Sequence, residues 1–355
     1  MQASSTTTRS SHRTATAFEQ YVSGRRALVS GAVFFLESAA QLVDVLREAG
    51  PNDIVFTPSG STSCVPGNVV EYGGRFREPG DRLVLDGHHV VELQEYVAAP
   101  FLSIISPTVI RQGSAEGLAA FLGDADTARE EGIFVGQLLS PIAALESRAS
   151  FLSTGPTGGG LIRVHVTADG EYRDGPDGAL LGHAGDARVE LQAAAEGPAR
   201  GRSFARIIDP RVLDADLDDR PWFGRYLAAL DALREWGGSP GRPRISGFGG
   251  HLIKALDESA AFPVVVSADA PLLVTGDGED YVLVDPHRRV RVRLGLDAAR
   301  AAECLMATGD ESSATGLLAF ELAVRPTGIA PLMRQLRDEL RDAGIELGAN
   351  SRAAS

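Results

Sequence analysis

Residues 289–294 read Arg-Val-Arg-Val-Arg-Leu, a strict two-residue alternation. Successive side chains of a strand point to opposite faces, so Val290, Val292 and Leu294 share one face and Arg289, Arg291 and Arg293 the other. The apolar face predicts a core beneath it. Leu272-Leu273-Val274 and Tyr281–Val284 predict two earlier strands. Gly276-Asp277-Gly278 joins those two, and Asp285-Pro286-His287-Arg288 joins the second to the third, both with turn-forming residues.

Three helices are expected to follow. Asp297 is placed to cap Ala298–Ala307, with Ala301, Cys304 and Leu305 inward. Ser312 or Ser313 opens a second helix through Leu317, Leu318, Phe320 and Leu322. Pro326 ends it, because proline lacks the amide hydrogen and clashes with the preceding turn. The third helix runs from about Ile329 to Ala343 and is stopped by Gly344. Its apolar positions, Ile329, Leu332, Met333, Leu336 and Leu340, recur every three or four residues and form an amphipathic stripe.

This order of elements, the phrase YVLVDP…VRVRLGLDAARAAECL and the ending LRDELRDAGIEL resemble the PqqD-like winged-helix module known as the RiPP recognition element. The resemblance covers residues 268–347, roughly a fifth of the chain. Two places depart from it: Thr308–Ser313 is polar, and Arg325-Pro326-Thr327-Gly328 makes an abrupt joint. With the module placed last, behind a long region without enzyme motifs, the layout is most similar to the daptide biosynthesis recognition proteins of actinobacteria.

The resemblance implies a role as well as a fold. Such modules bind the leader of a ribosomally made precursor peptide, which adds as a strand beside the third strand and packs on the third helix. On this chain it implies an edge of Arg289, Val290, Arg291, Val292, Arg293 and Leu294, and a wall of Met333, Leu336 and Leu340. Arg334, Arg337 and Arg341, at i, i+3 and i+7, would join the strand arginines along a positive groove suited to acidic leader residues. The same arginines read equally as a solvated face, with Arg334 and Asp338 as an i,i+4 pair.

The rest of the chain is less periodic. Residues 1–17 are rich in Ser, Thr and Arg without an apolar core, which predicts a disordered tail and not a secretory signal. Residues 18–150 predict an α/β region. It opens with an apolar run ending at Phe35, a helix over Ser38–Gly50 and a strand at Ile54-Val55-Phe56, a unit that sets two parallel strands side by side. Thr57–Gly80 reads as loop, and Asp81–Tyr96 and Phe101–Ile110 as apolar segments of either type. Helices are expected over Ser114–Gly123, Ala125–Glu131 and Ser140–Phe151, with a brief strand at Ile133–Val135.

Residues 151–267 predict a mixed β/α region. It holds a glycine loop at Ser153–Gly160, strands at Leu161–Val166 and Arg188–Leu191, an aromatic helix over Pro221–Trp236 and a linker near 237–242. Residues 348–355 read as a second tail. The expected fold class is therefore α+β: an N-terminal α/β region followed by a C-terminal PqqD-like winged-helix module of three strands then three helices.

Composition narrows the function classes. A net charge of −13 over 355 residues opposes non-specific nucleic-acid binding. No run approaches the ~18 apolar residues of a membrane span. Two distant cysteines, Cys64 and Cys304, make neither a disulfide framework nor a CxxC metal site, and suit a reducing cytoplasm. Residues 270–346 hold nine arginines against thirteen acidic residues, yet seven of those arginines fall at 288–293 and 334–341.

Catalytic signatures are missing. There is no GxxxxGK[ST], and the only lysine is Lys254. His88 and His89 with Glu92 and Glu95 make the best metal-like cluster, since a helix would put His88 and Glu92 on one face. No third ligand can be named, so no metal and no cofactor are expected. Gly247-Phe248-Gly249-Gly250 could open a phosphate site but does not match GxGxxG. Trp222, Tyr226 and Leu230 have the spacing of ordinary core packing.

The leading expectation is a non-catalytic cytoplasmic protein that binds a precursor leader and presents the peptide to separate modifying enzymes of its pathway. The alternatives are a peptide-modifying enzyme with a fused recognition module, motivated by the β-α-β start and glycine loops, and a winged-helix transcription regulator.

Overall fold

A computed structural model describes residues 3–60, 67–152, 160–196, 200–236, 243–258, 270–276, 280–286 and 288–347, with side chains from Ser11 onward. Cys64, most of the 153–160 loop, the 237–242 linker, Asp277, Gly278, His287 and the 348–355 tail lie outside the described residues. The chain divides into two compact units: Met1–Phe121 with Ile142–Asp219, and Leu122–Pro141 with Arg220–Ser355. Both mix helices and strands, and the first carries a large mixed sheet.

The first unit begins with helix α1 (Ala3–Ser23), where composition predicts a tail over residues 1–17. The correction has a tertiary cause, because Ala17, Phe18, Tyr21 and Val22 are buried against the sheet. Serine and threonine disfavour helix only weakly, and packing of one face overrides that preference. Next come β1 (Val33–Leu36), α2 (Leu42–Glu48) and β2 (Ile54–Pro58), with β1 and β2 parallel as the β-α-β pattern predicts.

The sheet continues through β3 (Val69–Gly74), β4 (Arg82–Leu85), β5 (His89–Glu95) and β6 (Thr108–Arg111). Helix α3 (Ala115–Glu131) is continuous where two helices are expected, and its residues from Leu122 onward belong to the second unit. Strands β7 (Ala143–Leu145), β8 (Arg163–Val166), β9 (Glu171–Arg173) and β10 (Leu180–His183) complete the sheet, followed by α4 (Arg188–Ala195) and α5 (Pro210–Asp218). The strand order is β10-β9-β8-β1-β2-β3-β4-β5-β6-β7.

Helical spacing over 140–151 thus yields β7 and a 3-10 turn, because β6 supplies a parallel partner for Ala143–Leu145. Ile133–Val135 is not a strand, and Arg188–Leu191 is helix. Apolar runs this short suit either state, and long-range pairing decides between them. Likewise β3 emerges from the Gly-rich stretch read as loop, paired to β2 and β4.

Both faces of β1 are covered, which explains its unbroken Val-Phe-Phe-Leu. Val33 and Phe35 pack on the α1 side, and Phe34 and Leu36 on the side of Leu42 and Val45 from α2 and Leu191 from α4. The sheet also curls around α1. The Val22 carbonyl accepts from Ser147 N, just past β7, at 2.8 Å and from Arg163 on β8 at 3.0 Å. Six strands separate β7 from β8 in the sheet order, so a flat sheet could not bring both to one residue. At the start of β1, Gly31 lies against the Asn52 backbone, where a Cβ would come within 2.3 Å of the carbonyl oxygen.

The second unit contains α6 (Phe223–Glu235), β11 (Arg244–Ile245) and α7 (Lys254–Glu258). Strands β12 (Leu272–Thr275), β13 (Tyr281–Asp285) and β14 (Val290–Leu294) follow, then helices α8 (Leu296–Thr308), α9 (Glu311–Glu321) and α10 (Pro326–Asp342). The four strands form an antiparallel sheet in the order β11-β12-β13-β14. Asp310, rather than either serine, caps α9 by accepting from Ser313 N at 2.8 Å. Asp297 lies within the first turn of α8, behind Gly295 as cap, where its charge still complements the helix dipole. Pro326 begins α10 instead of α10 beginning near Ile329, the first helical position being where the missing amide costs nothing.

Candidate functional site

Strand β14 is the terminal strand of its sheet, with β13 on one side and no strand on the other among the described residues. Val290, Val292 and Leu294 are partly buried and pack on the core formed by α8, α9 and α10. Arg289, Arg291 and Arg293 are exposed. The side chains on one face therefore anchor the strand, and no described strand pairs with its far backbone edge.

The turn into β14 is held from both ends. Asp285 accepts from Arg288 N at 2.9 Å, and Arg288 Nη1 donates to the Gly344 carbonyl, just beyond α10, at 2.6 Å. Arg289 adopts a left-handed φ of 55°, which turns the chain into the strand at a steric cost of about 1–2 kcal/mol.

The residues expected to form the wall are placed elsewhere. Met333, Leu336 and Leu340 are 0%, 3% and 1% exposed, spent on the unit's own core with Leu305, Leu317 and Leu318. They support the sheet from beneath and offer no open surface. An amphipathic stripe reports which face of a helix is apolar, and the chain's own core covers it first.

The six arginines divide. Arg291 pairs with Glu235 at the end of α6, Arg337 with Glu311 on α9 at 2.5 Å, and Arg341 with Asp338 at 3.1 Å. Asp338 thus takes its i+3 neighbour, not Arg334, whose Nε donates to the Ala330 carbonyl at 3.3 Å. Arg289, Arg293 and Arg334 make no ion pair among the described residues. Glu235 was not legible as part of this edge, since it lies 56 positions before Arg291 without a local pattern linking them.

The metal-like cluster does not form. His88 sits in the turn before β5 and His89 begins that strand, so the helical face expected for His88 and Glu92 does not exist. Among the described residues no group of three His, Cys, Asp or Glu side chains could hold a metal ion. No described helix is long and apolar enough to cross a membrane.

No protein-family model matches the chain, and no curated protein or solved structure matches it significantly.

Proposed function

We propose that this chain is a non-catalytic recognition protein whose β14 edge captures the leader of a ribosomally made precursor peptide by strand addition. It then presents the peptide to separate modifying enzymes, as in daptide-type biosynthesis. The observation that carries the reading is the terminal position of β14, with its apolar face anchored and its arginines exposed. Backbone hydrogen bonds along such an edge give affinity, and side chains of alternating residues set the register. Support for the PqqD-like winged-helix reading comes from β12, β13 and β14 followed by α8, α9 and α10; β11 is an additional strand on the opposite edge.

On this reading Arg289 and Arg293 carry the attraction for acidic leader residues, because they lack an ion-pair partner among the described residues. Tethering the peptide raises its effective concentration at a bound enzyme without any chemistry by this chain. The test is fluorescence anisotropy of a labelled synthetic precursor peptide with an acidic leader. Saturable binding is expected, weakened about tenfold, ~1.4 kcal/mol, by Arg289→Glu with Arg293→Glu. Absence of binding by the folded full chain overturns the proposal.

A further inference from the structure

Within the second unit, a cavity of about 260 Å³ lies between α6, the turn after β11 and α8. Arg129 and Arg225 line it, together with Trp222, Phe248, Met306 and Glu303. Arg225 is 6% exposed, yet it meets no carboxylate among the described residues. Its Nη1 donates to the carbonyls of Ala270 at 2.9 Å and Pro271 at 3.2 Å. Arg129 lies with its guanidinium 5.9 Å from the centre of the Phe248 ring and makes no ion pair among the described residues.

The neighbouring acids are already occupied. Glu303 accepts from Ser246 Oγ at 2.5 Å, Leu252 N at 2.8 Å and Ile253 N at 2.6 Å. Asp257 is taken by His251, at 2.6 Å. Burial lowers the pKa of both arginines, and the charge of Arg129 adds to the effect on Arg225, which falls to about 10. Two desolvated like charges on one cavity are costly without a counter-ion, and guanidinium forks fit oxyanions. The walls beside them are apolar, so an organic body would be held better than a bare ion.

We propose that this cavity binds a small organic oxyanion, its carboxylate or phosphate group held by Arg129 and Arg225 and its apolar body set against Trp222, Phe248 and Met306. The site is separate from the β14 edge and its test involves no peptide, so either proposal can fail alone. The Gly247–Gly250 turn is the one trace of it in the sequence, as Gly247 and Phe248 line the cavity.

The test is calorimetric titration of the full chain with phenylacetate, phenyl phosphate, inorganic phosphate and benzyl alcohol. Saturable binding of phenylacetate or phenyl phosphate is expected, and the tighter of the two names the acidic group. Arg129→Gln, on the cavity's less buried arginine, should weaken binding about tenfold with an unchanged circular dichroism spectrum. Arg225→Gln should do the same if it folds. The proposal is overturned if neither acid binds, if benzyl alcohol or inorganic phosphate binds as tightly as the acids, or if Arg129→Gln leaves affinity unchanged.

Discussion

Tyr21 Oη lies 2.7 Å from His165 Nδ1, joining α1 to β8 across 144 positions of sequence. The other ring nitrogen, Nε2, meets Glu37 Oε1 at 3.2 Å. An ionised carboxylate can only accept, so Nε2 carries a proton, and in the neutral ring Nδ1 then accepts from the tyrosine. Burial pushes the Tyr21 phenol well above its usual pKa, which keeps it a donor. Tyr21→Phe removes that donor and strands a buried acceptor. We expect a loss of about 1–3 kcal/mol, read by urea denaturation.

The same chain of contacts makes the first unit sensitive to acid. The hydrogen bond from His165 holds Glu37 down at about 2, from an ordinary value of 4.5, with the Ala168 amide adding to it. A depressed carboxylate stabilises the fold above its unfolded pKa and loses that contribution as pH falls through the folded one. Stability should therefore drop between about pH 4.5 and 2. Thermal melts across that window should show a shallower dependence for Glu37→Gln, which should also be less stable at pH 7.

Arg111, the last residue of β6, donates to Glu146 beyond β7 through Nε at 2.7 Å and Nη2 at 3.0 Å. Their side chains are 8% and 4% exposed. Glu146→Ala leaves a buried guanidinium without its partner and should cost about 3–5 kcal/mol. Arg111→Met combined with Glu146→Leu should cost much less, because the desolvation of both charges disappears with them. Chemical denaturation of the two variants separates these outcomes.

Leu336→Asp is the obvious variant for a peptide-binding wall, but Leu336 is a core residue at 3% exposure. An unpaired carboxylate there should unfold the second unit, at a cost above about 3 kcal/mol, and any loss of peptide binding would follow from that. Retention of the α10 helical signal and of peptide binding in this variant would place Leu336 outside the core.

Cys304 is fully buried on α8, and burial raises its thiol far above the usual value. Because alkylating reagents attack the thiolate, native Cys304 should resist iodoacetamide in a Cys64→Ser background and react only as the unit opens. Labelling should accelerate across the same denaturant range that melts the second unit. Rapid labelling of the native protein would contradict the packing.

Local periodicity made part of the fold and of the β14 edge legible in the amino-acid order alone. Alternation in 289–294 determined which side chains of β14 face the core, and the spacing of Ile329, Met333, Leu336 and Leu340 determined the buried face of α10. The apolar runs around Ala39–Glu48 determined the parallel β1-α2-β2 start. These features need only the geometry of one element or of one short β-α-β crossover, which residues close in sequence specify. What covers each face was settled by tertiary structure. It made α1 a helix inside a curled sheet, turned 143–145 into a strand beside β6, spent Leu336 on the core and gave Glu235 to Arg291. Each of those outcomes joins segments far apart in the chain, and such contacts leave no periodic trace in either segment alone.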